Sequence, residues 1–330
     1  MEPYLQTSCL SDHSLITALS YNVPMIAVLG GINIDLVTIT DRFPEAGETI
    51  TGTRFVTYTG GKGANQAVGC ARLGVSTTMI GRVGNDIFST QLINSLNAAG
   101  VDTSCVRSDS AHPSGVAIIN IGTTGENRII QVLGANKACD KTEAISCINA
   151  LENAHVLMLQ LEVPVAVSLQ AAEAARRLGR IVILDPAPAE PIPEELYQHC
   201  SYITPNETEA NTLLGLQIND VNDASKAADE LLYRGAETAI IKMGSNGAYF
   251  ASRSNSGHVP AFEVVAHDTV AAGDAFNAGL AVALSENKPL EAAVQWGCAT
   301  GALSVTKLGA QDAMPSRNQV DELIKNSRHI

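Results

Sequence analysis

Six short apolar runs, MIAVLG, TTMIG, HVLMLQL, IVILDP, YITP and TAIIKMG, recur along the chain, each bounded by glycine, proline or a polar residue. Continuous apolar runs of this length suit strands buried on both faces, and strands that alternate with helices pair in parallel. Between them, Gln66 to Leu73 and Pro164 to Leu178 place alanine and leucine at spacings of three and four, the stripe of an amphipathic helix. The chain therefore reads as an α/β fold with helices on both faces of a parallel sheet. Its 330 residues, 45% of them hydrophobic, suffice for one large domain with an elaboration or for two ordinary domains.

Two regions break the alternation. Leu36 to Tyr58 and Ser114 to Leu133, about 36–58 and 114–133, alternate β-branched and polar residues without a helix signal. They read as strands of a small separate sheet, either a lid over a site at the strand ends or an edge hairpin without function. Residues 1–24 contain no lysine or arginine and no basic stretch ahead of an apolar core. That argues against a secretory signal or transit peptide and for a loosely ordered extension, with the domain spanning residues 25–330.

Charge and composition narrow the partners. A formal net charge of -13 repels nucleic acid and anionic membrane, and 4% aromatic residues leave little for base stacking, so neither partner is expected. No apolar run approaches the roughly 18 residues of a membrane span. The seven cysteines, at 9, 70, 105, 139, 147, 200 and 298, form no CxxC pair and leave one over. This is the pattern of reduced thiols in a cytoplasmic protein, which would reach a nucleus only by diffusion. Seven scattered histidines show no zinc spacing.

An anionic ligand must then be held by local backbone dipoles and a few lysines. The stretch DTVAAGDAFNAGLAVALS, residues 268–285, leads from small residues into an apolar helix whose single charge after Asp268 is Asp274. The N–H groups of Ala271, Ala272, Gly273 and Asp274 would form an anion pocket able to stabilise a transferred phosphoryl group. A carboxylate beside it can accept the proton of an attacking hydroxyl, though aspartate is equally a preferred helix cap.

In TGGKGANQAVGCARLG, residues 59–74, glycines open an amphipathic helix. Asn65 offers a donor and an acceptor to sugar hydroxyls and Lys62 a local cation, while simple strand-to-helix packing reads the same way. Gln66 stands where a dinucleotide GxGxxG needs its last glycine, and the nearest P-loop spacing, Gly47 to Gly52, is followed by Thr53. Any ATP site must be built differently.

Three further stretches matter. GGINID, residues 30–35, sets Asn33 and Asp35 on one side of an extended segment, or in a turn. TPNETEAN, residues 204–211, sets Asn206 and Glu209 three apart at a helix start, able to orient waters around magnesium or to form a capping box. IKMGSNGAYF, residues 241–250, is a glycine turn where nucleotide phosphates or ribose would lie against Lys242, Gly244 and Ser245, or an ordinary hairpin.

The order of these motifs, with QLE at 160–162 and KLGAQ at 307–311, closely resembles the ribokinase branch of the phosphofructokinase-B carbohydrate-kinase family from Met25 to the C-terminus. The resemblance implies a ribokinase-like three-layer α/β/α sandwich, with a nine-stranded sheet and a small β lid that covers the sugar and pairs two subunits. It assigns sugar contacts to Asn33, Asp35, Gly61, Lys62, Asn65 and Glu162, with Asp274 as general base. Nucleotide contacts fall to Asn206, Lys242, Gly244, Ser245, Gly247, Gly273 and, beside the adenine, Cys298. Glu209 would handle magnesium indirectly, and Asp268, Val270, Ser304, Lys307, Gly309 and Ala313 would surround potassium. Gly31, Ala275 and Cys298 depart from the serine, threonine and histidine frequent in the family, and Ala313 offers only a backbone oxygen.

The implied activity is transfer of a phosphoryl group from ATP to the 5-hydroxyl of D-ribose in a homodimer, with magnesium and a potassium activator. A relative acting on deoxyribose, fructose or a nucleoside is the alternative, and a sugar-binding regulator without catalysis lies further off. The intact Gly273–Asp274 pair argues against the regulator, and the missing GxGxxG against a nicotinamide oxidoreductase. Asn33, Asp35, Asn65 and Glu162 suit a free polyhydroxylated sugar, whereas a nucleoside needs apolar or aromatic room for its base.

Overall fold

The computed structural model describes residues 25–122 and 126–327, so the 1–24 extension lies outside the described residues. In its first strand, Ile26 and Val28 pack into one core cluster while Ala27 and Leu29 pack into the other. Strand side chains alternate between faces, so a strand buried on both has no polar position to spare.

Numbered along the chain, the strands are β1 (Met25–Leu29), β2 (Asn33–Ile39), β3 (Arg54–Gly60), β4 (Ser76–Gly84), β5 (Asp102–Asp109), β6 (Gly115–Ile121), β7 (Asn127–Val132), β8 (Val156–Leu159), β9 (Ile181–Leu184), β10 (Tyr202–Ile203), β11 (Thr238–Lys242), β12 (Ala248–Ser252) and β13 (Ser256–Val259). Among the described residues the main sheet has nine strands in the order β13-β12-β11-β10-β9-β8-β1-β4-β5. From β11 to β5 every pairing is parallel, and β12 and β13 add an antiparallel edge. Helices pack on both faces, which gives the expected three layers.

After β1 the chain builds outward through β4 and β5, then returns to β1's other side with β8. Loops leaving the carboxyl ends of strands at such a reversal diverge and open a crevice. Gly30 follows β1, Gln160 follows β8, Thr204 follows β10 and Met243 follows β11, so four of the sequence motifs converge on one edge.

The two irregular regions form one four-stranded sheet, β3-β2-β6-β7, rather than an edge hairpin. β2 begins at Asn33 and β3 ends at Gly60, so this sheet takes in more than 36–58 and carries Asn33 and Asp35 on a strand, not in a turn. Cross-strand register sets Asp35, Ala117 and Gln131 in one row. Ile118 and Ile130 are opposite each other in the next row and face the other way, where Phe55 and Val132 are also exposed.

Candidate active site

Asp274 is the third residue of the Ala272–Ser285 helix, which is buried from Asp274 to its end. At 4% exposure the carboxylate must find its partners inside the protein. Its Oδ2 accepts from Asn65 Nδ2 at 2.9 Å and its Oδ1 from Gln66 Nε2 at 3.1 Å. The helix-cap reading is not adopted, because Ala271 holds the cap position and no side chain caps the helix. Ala271 has φ 58°, a left-handed conformation uncommon for a residue with a Cβ and often found at functional sites. The Ala272 N–H turns back to Thr269 O at 3.3 Å, leaving the N–H groups of Ala271, Gly273 and Asp274 as the principal donors of the turn.

Asn65 and Gln66 come from the Lys62–Arg72 helix, whose cap is Gly61 at φ 91°. A Cβ on Gly61 would sit 2.6 Å from Gly31 O and 2.7 Å from Asn33 N, so only glycine lets this helix start so close to the turn after β1. Lys62 N donates to Glu162 Oε2 at 2.7 Å. Glu162 Oε1 accepts from Asn33 Nδ2 at 3.2 Å and from Gln131 Nε2 at 2.5 Å, the latter reaching in from β7. Asn136 completes this side, donating to Asn33 Oδ1 at 2.7 Å and exchanging bonds with the Ile32 backbone. Asp35, Asn33, Gly61, Lys62, Asn65 and Glu162 thus surround one crevice with Asp274 at its floor.

The crevice is crowded with negative charge. Burial, then Glu162 and Asp274, push the Asp35 carboxyl up to about 7. Burial also raises Asp274, which Lys62 opposes and Asp185 reinforces. Glu162 is raised by burial and drawn back by Lys62. Burial works against the Lys62 charge, but Asp274, Asp185, Glu162 and Glu209 outweigh it and hold the ammonium above the ordinary lysine range.

On the other side of Asp274 lies the candidate nucleotide site. Lys242, at the end of β11, pairs with Asp185 Oδ1 at 2.7 Å and lies 3.8 Å from Glu209 Oε2. A Cβ built on Gly273 would come within 3.3 Å of Lys242 Nζ, so the lysine abuts the anion pocket. Gly244, Ser245 and Gly247 form the tight turn closed by Met243 N to Gly247 O at 2.8 Å. Asn206 and Glu209 form a complete capping box, with both bonds at 2.8 Å. Structural cap and possession of a carboxylate facing Lys242 coexist in Glu209. Cys298 is buried in the Leu290–Ser304 helix, and burial pushes its thiol up to about 12.

Among the described residues no three His, Cys, Asp or Glu side chains are grouped to hold a metal directly. The candidate potassium loop is drawn together by Asp268, whose Oδ1 accepts from Val270 N at 3.0 Å and Oδ2 from Gly309 N at 2.9 Å. Ser304 Oγ donates to Gly301 O at 2.8 Å and keeps its lone pairs, Lys307 N reaches back to Ser304 O, and Ala313 is fully buried. Carbonyl, hydroxyl and carboxylate oxygens suit an alkali cation.

Sequence reasoning passed over Gln66, Gln131, Asn136 and Asp185 as site residues. Asp185 left a signal, an acid closing the apolar run IVILDP at the carboxyl edge, and so did Gln66, a polar residue amid the apolar face of its helix. Gln131 and Asn136 left none, since only the pairing of distant strands brings them in.

A model of the pfkB family carbohydrate kinases matches residues 23–317. The chain is similar to a ribokinase of Haemophilus influenzae, 37% identical over 302 residues, covering 92% of this chain and 99% of that protein. It is 36% identical over 300 residues to a deoxyribokinase of Salmonella typhi, covering 91% of this chain and 98% of that protein. The solved structure of Arabidopsis thaliana ribokinase complexed with ribose and ATP matches with a TM-score of 0.87 at 33% identity, covering 92% of this chain and 99% of that one. With the family model spanning the whole crevice and both sheets, the chain belongs to the pfkB family of carbohydrate kinases.

Proposed function

We propose that the enzyme transfers the γ-phosphoryl group of ATP to the 5-hydroxyl of D-ribose, giving ribose 5-phosphate and ADP. The observation that carries this reading is Asn65. Its Nδ2 holds Asp274, while its Oδ1 is buried with no partner. A buried acceptor left open beside a candidate base is poised for a substrate hydroxyl.

Asn33, Asp35, Gly61, Lys62, Asn65 and Glu162 orient the sugar, and the small sheet covers it as a lid. Asp274 takes the hydroxyl proton as the sugar oxygen bonds to the γ-phosphorus. The bond from that phosphorus to the bridging oxygen breaks, and its electron pair leaves with ADP. Backbone N–H groups at Ala271, Gly273 and Asp274 face the charge on the moving group, the Ala272 N–H being turned to Thr269 O, and Lys62 favours the charged form of Asp274 against the effect of burial. Asn206, Lys242, Gly244, Ser245 and Gly247 hold the nucleotide, with Cys298 near its base. Magnesium, held through waters by Glu209, would offset phosphate charge, and potassium within the Asp268 loop would add positive charge behind the anion pocket.

The face that exposes Phe55, Ile118, Ile130 and Val132 is the one by which two lids pair in a homodimer. No helix among the described residues is long and apolar enough to cross a membrane, and we place the enzyme in the cytoplasm with reduced thiols.

Deoxyribose is the second reading, because the deoxyribokinase match is nearly as strong as the ribokinase match. ADP release measured with ribose, deoxyribose, fructose and adenosine, with and without potassium, decides between them. The highest kcat/KM is expected with ribose and potassium. A preference for deoxyribose moves the assignment there, and no release with any acceptor leaves only the regulator.

A further inference from the structure

Neither the sugar clasp nor the anion pocket accounts for Gln66. It is fully buried, with both amide hydrogens and the amide oxygen hydrogen-bonded. Nε2 donates to Asp274 Oδ1 at 3.1 Å and to Asp185 Oδ2 at 3.0 Å, while Oε1 accepts from Gln160 Nε2 at 2.6 Å. An amide turned the other way would set its oxygen against two carboxylates, so its orientation is fixed by charge as well as by packing. The second oxygen of Asp185 holds Lys242, which abuts Gly273. One uninterrupted path therefore runs from Gln160 through Gln66 to Asp274 in one direction and to Asp185 and Lys242 in the other.

One neutral amide set between two buried carboxylates gives each a hydrogen bond and keeps their facing oxygens apart. The charged groups facing Asp274 are Lys62, Asp185, Glu162 and Asp35, with Lys242 beyond Asp185. Three of the four nearest are acids, so a lost donor is not replaced by a neighbour. We infer that Gln66 is a positioning residue: its amide fixes the orientation of the Asp274 carboxylate and ties it to the Asp185–Lys242 pair on the nucleotide side. This rests on Asp274 acting as the base.

Replacing Gln66 by methionine keeps length and apolar volume but removes both donors. The carboxylate is then held at Oδ2 alone, by Asn65, and its charged form loses a hydrogen bond, so it protonates at higher pH. Steady-state kinetics of the full chain over a range of pH, with ribose and ATP each varied, read both effects. For Gln66→Met, kcat falls by about 10- to 100-fold and the acidic limb of kcat/KM moves up by about one pH unit. The KM for ribose changes little, since Asn33 and Glu162 are untouched. Wild-type kcat with an unmoved limb overturns the inference, as does a fall in kcat with no movement of the limb. If Gln66→Met does not fold, Gln160→Met decides: it frees the Gln66 amide without removing it, so the limb moves the same way by less, and an unmoved limb overturns the inference. Asp274→Asn, assayed alongside, separates the two claims. Activity in that variant removes the base reading itself, whereas an inactive Asp274→Asn with a wild-type Gln66→Met removes only the role of Gln66.

Discussion

Gln131 on β7 donates to Glu162 Oε1 across 2.5 Å, joining an edge strand of the small sheet to the loop that follows the carboxyl end of β8. An edge strand of the small sheet is thereby fastened to the Glu162 side of the crevice. Glu162 also holds Asn33 and the first N–H of the Lys62–Arg72 helix, so it is the point where both sheets and that helix meet. Gln131→Ala should raise the KM for ribose by about tenfold, the order expected for one hydrogen bond to a charged group, with a smaller change in kcat. Steady-state kinetics with ribose varied at saturating ATP check this, and an unchanged KM would remove Gln131 from the sugar site.

Asp274→Asn keeps the shape of the side chain and removes its capacity to accept a proton. Turnover should fall by a factor on the order of a thousand, the usual worth of a general base, while ribose still binds. Calorimetric titration with ribose, run beside an ADP-release assay, distinguishes loss of chemistry from loss of the site.

Asp35 gives a pH signature in the absence of any substrate. Its carboxyl lies at about 7 in the folded chain against 3.8 for the free side chain, so the native state binds the extra proton between those values. The contribution of this group to stability is therefore largest in acid, falls as pH rises through that window and is flat above it. Asp35→Asn should melt at a higher temperature than the parent near pH 8, its unfolding free energy greater by on the order of a few kcal/mol, and the gap should close toward about pH 4. Equal melting temperatures at both ends would show that Asp35 is not perturbed by burial.

Phe55 is 62% exposed and Ile130 64% exposed on the face of the small sheet turned away from the crevice. Charge placed there should prevent two lids from meeting. Light scattering on Ile130→Asp is expected to report a monomer where the parent is a dimer, with weakened ribose binding because an unpaired lid closes less firmly. A dimeric Ile130→Asp would move the interface elsewhere.

Periodicity and motif order gave an accurate outline of the architecture. The six apolar runs are strands of the main sheet, the two irregular regions are the second sheet, and the glycine-rich stretches open helices at the carboxyl edge. Boundaries were less exact at β2, where turn residues and strand residues look alike until the partner strand is known. GGINID offered Asn33 and Asp35 as either, and pairing with β3 and β6 makes them strand. Local chemistry was also ambiguous at Asp274 and at Asn206. The first proved not to cap its helix, and the second proved to cap it while bringing Glu209 toward Lys242.

The sequence by itself determined the layers, the family and the identity of the residues with chemistry to offer, because burial on two faces and helix-start geometry are written in local spacing. Which of those residues act on one another was decided only by tertiary structure. Asp274 meets Gln66 and Asn65 from about two hundred positions away, and Glu162 meets Gln131 across two sheets. Whether a buried carboxylate is a cap, a base or half of an ion pair depends on the donors and charges within a few ångströms of it, and strands joined by long crossovers bring those together without leaving any spacing in the chain to record it.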